Sequence, residues 1–241
     1  MDHEFFIDKT TLRRGKSAAH WGSKMISFSV QSEINKVLKS IDPLTSKQMP
    51  FAIAKALTST AKAVQKDITS ELPTAFTSPT AFTKKAFTIK AARKTDLTAW
   101  VFAKDAQARY LAYGIQGGER RVKGFERRID AMGGEAGVML VPTKAVKRDA
   151  SGNVSLATIR RIAGQSNSKK YFVGTPKGNN RSFGVYERMA GGKLRALLIE
   201  ADVGNYRKRL NMIGIGKRVI QSQFMRELEA SIAQAIATAR P

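Results

Sequence analysis

Hydrophobic and polar positions repeat with two different periods along the chain, and the longer period predicts two helices. Apolar residues at every third or fourth position are typical of an amphipathic helix. The first such stretch covers about residues 46–72, with Pro50 in its first turn and Pro73 at its end. The second covers about residues 214–239, and its apolar stripe consists of Ile215, Val219, Ile220, Phe224, Leu228, Ile232, Ala235 and Ile236.

The shorter period lies between these helices, where apolar residues alternate with polar ones and predict antiparallel strands. Residues 85–92 and 97–103 are predicted to form a hairpin, and residues 137–142 a buried strand. Three more runs, separated by Gly, Asn and Ser turns, predict a meander. These runs are residues 170–174, 183–187 and 195–199.

Four shorter segments have weaker patterns. Residues 26–30 suit one strand and residues 34–41 a helical turn, whereas residues 105–113 are compatible with either a short helix or the start of a loop. Residues 156–163 predict a short helix, with Arg160 and Arg161 exposed.

The order of these elements predicts the fold class. A helix, several antiparallel strands and a final helix indicate an α+β fold, with an antiparallel sheet packed against the two long amphipathic helices. Since no linker interrupts the pattern, residues 44–241 are predicted to form a single basic α+β domain. Residues 1–43 are then an N-terminal extension and a candidate for packing on a neighbouring subunit.

Charge changes this picture more than any other property of the composition. The 241 residues include 42 Lys and Arg against 19 Asp and Glu, a net charge of +23. Residues 1–80 carry 11 basic against 7 acidic residues, residues 81–160 carry 16 against 7, and residues 161–241 carry 15 against 5. The excess is therefore spread over a folded body. Such a body attracts polyanions, or it is a basic surface that is solvated or neutralised by acidic partner subunits.

Residue types absent from the chain restrict its chemistry. It has no cysteine, and its two histidines, His3 and His20, lie near the N-terminus. These counts exclude disulfides, Cys-based zinc sites and thiol nucleophiles, and they leave no mid-chain histidine for a Ser-His-Asp centre. No apolar run resembles a secretory signal or a membrane helix, so the sequence predicts a protein that is soluble and intracellular at synthesis, without a membrane partner.

A glycine-rich segment followed by basic residues is the main candidate for binding. Residues 114–118 precede Arg120 and Arg121 but lack the spacing of a phosphate-binding P-loop, so a loop is the better interpretation. The candidates for facing DNA or a partner are Arg120, Arg121, Lys123, Arg127 and Arg128.

Acidic residues give no catalytic constellation. Glu126 and Asp130 are four residues apart and would share one helix face, where a nuclease would need further convergent acids to hold Mg²⁺. Solvated salt bridges with the surrounding arginines are the preferred interpretation. Glu187 lies near a strand end and suits an edge charge or a turn cap. No catalytic residue, metal ligand or cofactor is predicted.

Three aromatic residues lie next to basic ones. Tyr171 and Phe172 follow two lysines, and Tyr206 precedes Arg207. Aromatic rings between cations stack bases in proteins that bind single strands, but each of these rings equally suits the core.

Three segments together resemble one protein family. Residues 49–65, MPFAIAKALTSTAKAVQ, are similar to the opening pattern MPxAxAxALNxTAxxVQ of the minor tail protein Z, or tail completion, family of long-tailed bacteriophages, with Thr58 in the place of Asn. The basic, glycine-punctuated middle around Arg120 and the terminal amphipathic helix also resemble this family. The likeness covers roughly residues 45–240.

This resemblance implies a non-enzymatic structural protein of the virion, a tail completion or head–tail connector component that joins or finishes the tail next to packaged DNA. The implied location is the tail or neck of the virion, and the host cytoplasm during assembly. The implied partners are copies of itself in a ring, other phage neck and tail proteins, and DNA through non-specific phosphate contacts. The alternative is a non-specific DNA-binding protein or a metal-dependent DNA-processing protein.

Overall fold

The chain divides into two compact units, each with its own apolar core. Unit 1 comprises the residues up to Gln116 together with those from Lys208, and unit 2 comprises Gly117–Arg207. The computed structural model describes residues 26–29, 48–131, 139–165, 168–178, 182–201 and 205–238. The predicted helical turn at residues 34–41 and most of the predicted extension at residues 1–43 lie outside this part.

The secondary structure alternates between helices and short strands. In chain order the elements are β1 (Ile26–Ser29), α1 (Met49–Ala75), α2 (Ala81–Lys84), β2 (Phe87–Lys90), β3 (Thr98–Ala103), α3 (Asp105–Gln116), β4 (Gly118–Glu119), α4 (Gly124–Asp130), β5 (Met139–Pro142), α5 (Leu156–Gly164), β6 (Tyr171–Gly174), β7 (Gly184–Arg188), a 3₁₀ turn (Ala190–Gly192), β8 (Leu194–Ala201), β9 (Asn205–Tyr206) and α6 (Met212–Ala237). The α+β class predicted from the sequence is confirmed.

Both predicted long helices are present, with shifted ends. Helix α1 continues past Pro73 to Ala75, so the prediction that this proline ends the helix was wrong. A proline removes its own N–H from the hydrogen-bond ladder, and the next turn still closes because Phe76 N–H donates to the Leu72 carbonyl at 2.9 Å. Helix α6 begins two residues earlier than predicted, where the Asn211 side chain accepts from the Gly214 N–H at 3.2 Å.

In unit 1 the two long helices pack against each other and α1 also packs on β2 and β3. Ser59 Oγ of α1 donates to Glu227 Oε2 of α6 at 2.6 Å, and Lys55 of α1 donates to Gln234 of α6. Residue numbers rise along one helix as they fall along the other, so the helices run antiparallel. Their shared core is fully buried or nearly so, and includes Leu57, Val64, Ile68, Val219 and Phe224.

The sheet of unit 1 contains the predicted hairpin. Strands β2 and β3 pair antiparallel with Ile89 opposite Val101, and β1 pairs with the other edge of β3 with Ile26 opposite Val101. The strand order is β1-β3-β2. Among the described residues, no strand of unit 2 pairs with this sheet.

Unit 2 contains the predicted meander. Strands β6, β7 and β8 are antiparallel neighbours, and β5 adds to the far side of β8 to give the order β5-β8-β7-β6. Ile129 of α4 and Ile162 of α5 belong to the same buried cluster as Val173 and Val185 of this sheet. A separate two-stranded ribbon pairs β4 with β9.

Two aspects of the predicted organisation differ from the structure. The sequence predicts one sheet, whereas the described strands form three, of three, two and four strands. The sequence also predicts a single domain over residues 44–241, whereas the chain groups into two units. The physical reason is that the four-stranded sheet buries its apolar face within unit 2, against Ile129 and Ile162.

Candidate functional site

The predicted basic residues lie at the start of unit 2, in the segment that leads into α4 and on α4 itself. Lys123 is the residue at the N-terminal end of α4, and Glu126 in the first turn accepts a hydrogen bond from the Lys123 N–H at 2.5 Å. A carboxylate in this position satisfies an N–H that the helix leaves unpaired and interacts favourably with the helix dipole. The acid therefore helps to begin the helix that carries Arg127 and Arg128.

Arg120 is the one candidate that turns into the interior of unit 2. Its Nη2 lies 2.6 Å from Glu126 Oε1 and its Nη1 lies 3.0 Å from Glu126 Oε2, a bidentate ion pair. The Arg120 side chain is 10% exposed and the Glu126 side chain 0%. Arg120 also donates to the Arg121 carbonyl at 3.0 Å. Arg120 and Glu126 therefore neutralise each other inside unit 2.

The environment of this ion pair shifts both pKa values. Burial alone would raise the pKa of Glu126, but the hydrogen bonds from Arg120, from the Lys123 N–H and from the Leu140 N–H, together with the positive charge of Arg120, lower it below its ordinary value. Burial likewise acts to lower the pKa of Arg120, and its contacts with Glu126 together with those with Tyr206 outweigh this and raise it. Both residues are held in their charged forms. The interpretation of Glu126 as a solvated salt-bridge partner was wrong, because this carboxylate is buried.

The other four predicted candidates are exposed. They are Arg121, Lys123, Arg127 and Arg128, and we call them the basic segment. Arg127 and Arg128 lie on α4, and Lys123 directly precedes its first residue. The structure therefore places these cations where a polyanion can approach them, and it assigns Arg120 to the interior.

A second buried carboxylate lies in the middle of the four-stranded sheet. Glu187 of β7 is directly opposite Arg195 of β8 and pairs with it, while Lys170 Nζ lies 3.4 Å from its other oxygen. The hydrogen bond from Arg195 is the largest cause that lowers the pKa of Glu187, assisted by Lys170 and opposed by burial. The interpretation of Glu187 as an edge charge or turn cap was wrong, because it pairs across two strands.

The metal site considered for Glu126 and Asp130 has no support from the described residues. Both Glu126 oxygens accept hydrogen bonds from Arg120 or the backbone, and the Asp130 side chain lies outside the described part of the chain. Within that part, no three His, Cys, Asp or Glu residues lie close enough together to hold a metal ion. None of the described helices is both long and apolar enough to cross a membrane.

The predicted aromatic candidates separate into different environments. Tyr171 is buried in the core of unit 2, and Tyr206 is 39% exposed in β9. Phe172 lies on the opposite face of β6 from Tyr171, because side chains alternate along a strand. There it is half-buried and packs against Tyr186 of β7, with ring centroids 6.3 Å apart.

Phe172 forms one wall of a surface pocket of about 680 Å³ in unit 2. The other lining residues are Pro176, Lys177, Arg188, Gly191, Gly192, Lys193 and Leu194. We call this the meander pocket, because its residues come from β6, β7, β8 and the turns between them. Sequence reasoning identified Phe172 but missed the three cations. The available signal was a lysine in each of the two turns of the meander, Lys177 between β6 and β7 and Lys193 between β7 and β8.

Arg188 is fixed in this pocket by the backbone. Its Nη1 donates to the carbonyls of Ser168 at 2.9 Å and Tyr171 at 2.7 Å, and its guanidinium carbon lies 5.6 Å from the centroid of the Phe172 ring. A cation at this distance from an aromatic ring is attracted to its face. The position of the guanidinium is therefore set before any ligand arrives.

Comparison with known proteins gave no relatives for this chain: no family model, curated protein or solved structure matched it.

Proposed function

We propose that this protein is a structural virion component of a tailed bacteriophage, a tail completion or head–tail connector protein that acts next to packaged DNA. The observation that carries the proposal is the pattern MPxAxAxALNxTAxxVQ at residues 49–65 and its place on α1. The proposed partners are copies of the chain in a closed ring, other neck and tail proteins, and DNA through its phosphates.

The burial of α1 supports the use of this pattern as a structural signature. The fixed apolar, small and threonine positions of the pattern are buried, apart from the half-buried Pro50, whereas the exposed residues of the segment all fall on its variable positions. The buried set is Met49, Ala52, Ala54, Ala56, Leu57, Thr60, Ala61 and Val64, and the exposed set is Phe51, Lys55 and Lys62. The pattern therefore specifies which face of α1 packs in unit 1, as expected of a motif that a family uses to build one fold.

Two polar positions of the pattern anchor α1 to the neighbouring strand and loop. Gln65 Nε2 donates to the Phe87 carbonyl at 2.8 Å. Thr58 Oγ1 accepts from the Ala92 N–H at 3.2 Å. An asparagine side-chain oxygen also accepts from a backbone N–H, so Thr58 is compatible with the Asn of the pattern.

The charge of the protein supports a position next to DNA or acidic subunits. Unit 2 carries 18 Lys and Arg against 8 Asp and Glu over its sequence. The exposed basic segment provides contacts that do not depend on base sequence. A complementary acidic surface on a neighbouring ring would be recognised by the same charges.

The direct test is the composition of assembled particles. Particles purified from a lysate of the phage that encodes this chain are expected to contain it at a small, fixed copy number relative to the major tail protein. Particles made when its gene carries a nonsense mutation are expected to have unjoined or unfinished tails. Absence of the chain from purified particles, or normal infectious particles without it, would contradict the proposal.

The alternative, a DNA-processing enzyme, is tested on the purified protein with DNA and Mg²⁺ or Mn²⁺. The diagnostic variant is Asp130→Ala, because Glu126 supports the interior of unit 2 and its loss would alter folding. Metal-dependent cleavage that disappears in Asp130→Ala would replace the structural proposal with the enzymatic one. Salt-sensitive binding without cleavage is the expected result.

A further inference from the structure

The meander pocket brings together three cations from separate elements. Lys177 follows β6, Arg188 ends β7 and Lys193 precedes β8. No acidic residue is among the lining residues, and no described carboxylate forms an ion pair with Lys177 or Lys193. The pocket therefore combines concentrated positive charge with the absence of a competing acid, which favours an anionic ligand.

Apolar groups form the remaining walls of the pocket. Phe172 presents an aromatic ring, and Pro176 and Leu194 add aliphatic surface. A small inorganic anion needs no such surface, whereas a ligand that joins a planar ring to a phosphate uses both kinds of wall. The volume of about 680 Å³ is within the range of about 300–1,000 Å³ for small-ligand sites.

Gly174 leaves room for the end of the Phe172 ring. Its φ of 141° lies in a region that L-residues with side chains rarely adopt, and a Cβ there would lie 3.1 Å from Phe172 Cζ. The absence of a side chain at Gly174 therefore leaves room for the end of the ring. The Arg188 guanidinium beside the ring is held by backbone carbonyls.

From these observations we infer that the meander pocket binds a nucleotide, with its base stacked on Phe172 and its phosphate held by Lys177 and Lys193. The inference does not rest on the proposed virion role. The same chemistry is present in a free nucleotide and in one nucleotide of a single strand. A paired base in a duplex is already stacked between its neighbours, so duplex DNA offers the phosphate without the exposed ring.

The test uses fluorescence anisotropy with the full chain and three probes of equal length. The probes are a single strand of about ten thymidines, within the usual site sizes of single-strand binders, an abasic strand with the same phosphates, and a duplex. We expect the thymidine strand to bind more tightly than both others. Titration with free thymidine monophosphate, followed by NMR, distinguishes the two sources, and binding of either one that requires Phe172 supports the inference.

Paired variants separate stacking from charge. Phe172→Leu keeps an apolar side chain without an aromatic face and is expected to weaken binding of the thymidine strand about fivefold to a hundredfold, while Phe172→Tyr retains it. Lys177→Gln/Lys193→Gln is expected to reduce the slope of log affinity against log salt by about 0.7, since the two lysines hold one phosphate and each neutralised phosphate of a single strand contributes about 0.7.

The matched control for charge is Lys144→Gln/Lys147→Gln, two exposed lysines of unit 2 that do not line the pocket. The two double variants have the same net charge. The control is expected to bind the thymidine strand more tightly than Lys177→Gln/Lys193→Gln does. Circular dichroism confirms that each variant is folded. Absence of Phe172-dependent binding for both the thymidine strand and thymidine monophosphate, or equal loss in the two lysine variants, would overturn the inference.

Discussion

Units 1 and 2 differ in the kind of polar group that each one buries. The buried polar side chains in the described part of unit 1 are uncharged, namely Thr60, Thr83, Gln107 and Ser231. The corresponding side chains in unit 2 are two carboxylates, Glu126 and Glu187. The ion pairs found among the described residues all belong to unit 2 as well.

This difference shows that the two units depend on different forces. In unit 1 a buried hydroxyl such as Thr60 Oγ1 donates to the Ala56 carbonyl at 2.9 Å and has no charge to lose. Stability there comes mainly from apolar burial along α1 and α6. In unit 2 the fully buried carboxylate of Glu126 is stable only while Arg120 is present, since an unpaired buried charge is strongly destabilising.

The largest expected effect is that of Glu126→Ala, which leaves the Arg120 charge buried without its partner. We expect it to destabilise unit 2 by about 3–5 kcal/mol. Hydrogen exchange of peptides from β7 and β8 measures this loss directly, and the control is Glu200→Ala, an exposed carboxylate of the same sheet. A cost below about 1 kcal/mol would show that the buried ion pair does not stabilise unit 2.

A comparable loss in unit 1 should follow from removing apolar volume rather than charge. Ile68 is fully buried on α1, and Ile68→Ala is expected to cost about 2–5 kcal/mol. Tryptophan fluorescence during urea unfolding reports on this unit, because Trp100 lies in β3 and unit 2 contains no tryptophan. The cost should be the same at low and high salt. A strong salt dependence would remove the contrast between the units.

Gly184→Ala should destabilise unit 2 without altering any charge. A Cβ at Gly184 would lie 2.2 Å from the Leu198 carbonyl oxygen, and a backbone atom cannot rotate away. We expect a loss of about 1–3 kcal/mol, localised by hydrogen exchange to β7 and β8. Gly164→Ala is the control, because a Cβ there meets nothing within 4 Å. Equal stability of the two variants would contradict the close approach of β7 and β8.

The smallest effect is expected at Thr58, where the phage pattern has Asn. Thr58→Val leaves the Ala92 N–H without its acceptor and should cost about 1 kcal/mol in urea unfolding followed by tryptophan fluorescence. Thr58→Asn should cost less, because the amide oxygen replaces the hydroxyl. If Asn is more destabilising than Val, the similarity of this position to the pattern has no structural basis.

The sequence predicted the elements whose patterns are local. Periodicity of three to four residues located α1 and α6, and alternation located the β2–β3 hairpin and the meander, because each pattern reflects burial along a single element. The partition into two units was not predicted, because it depends on which strands pair with each other, and the alternation within one strand does not show its partner.

The candidate sites were predicted less completely for the same reason. Glu126 is close in sequence to arginines that are exposed. Its Oε1 accepts a hydrogen bond from the N–H of Leu140, fourteen positions further on. Lys177, Arg188 and Lys193 are spread over seventeen positions and meet only because the meander folds back on itself. Contacts that depend on how the strands and helices are connected produce no periodic pattern in the sequence.

Pulse-labelling hydrogen exchange after incubation at a series of acidic pH values tests the contrast between the units most directly. The folded-state pKa values of Glu126 and Glu187 are both lowered, so their contribution to stability is present above the ordinary glutamate pKa of about 4.5 and is lost as the pH falls through the lower folded values. Peptides from β7 and β8 should therefore lose protection at a higher pH than peptides from α1 and α6. Loss of protection at the same pH in both units, or first in α1 and α6, would contradict the account.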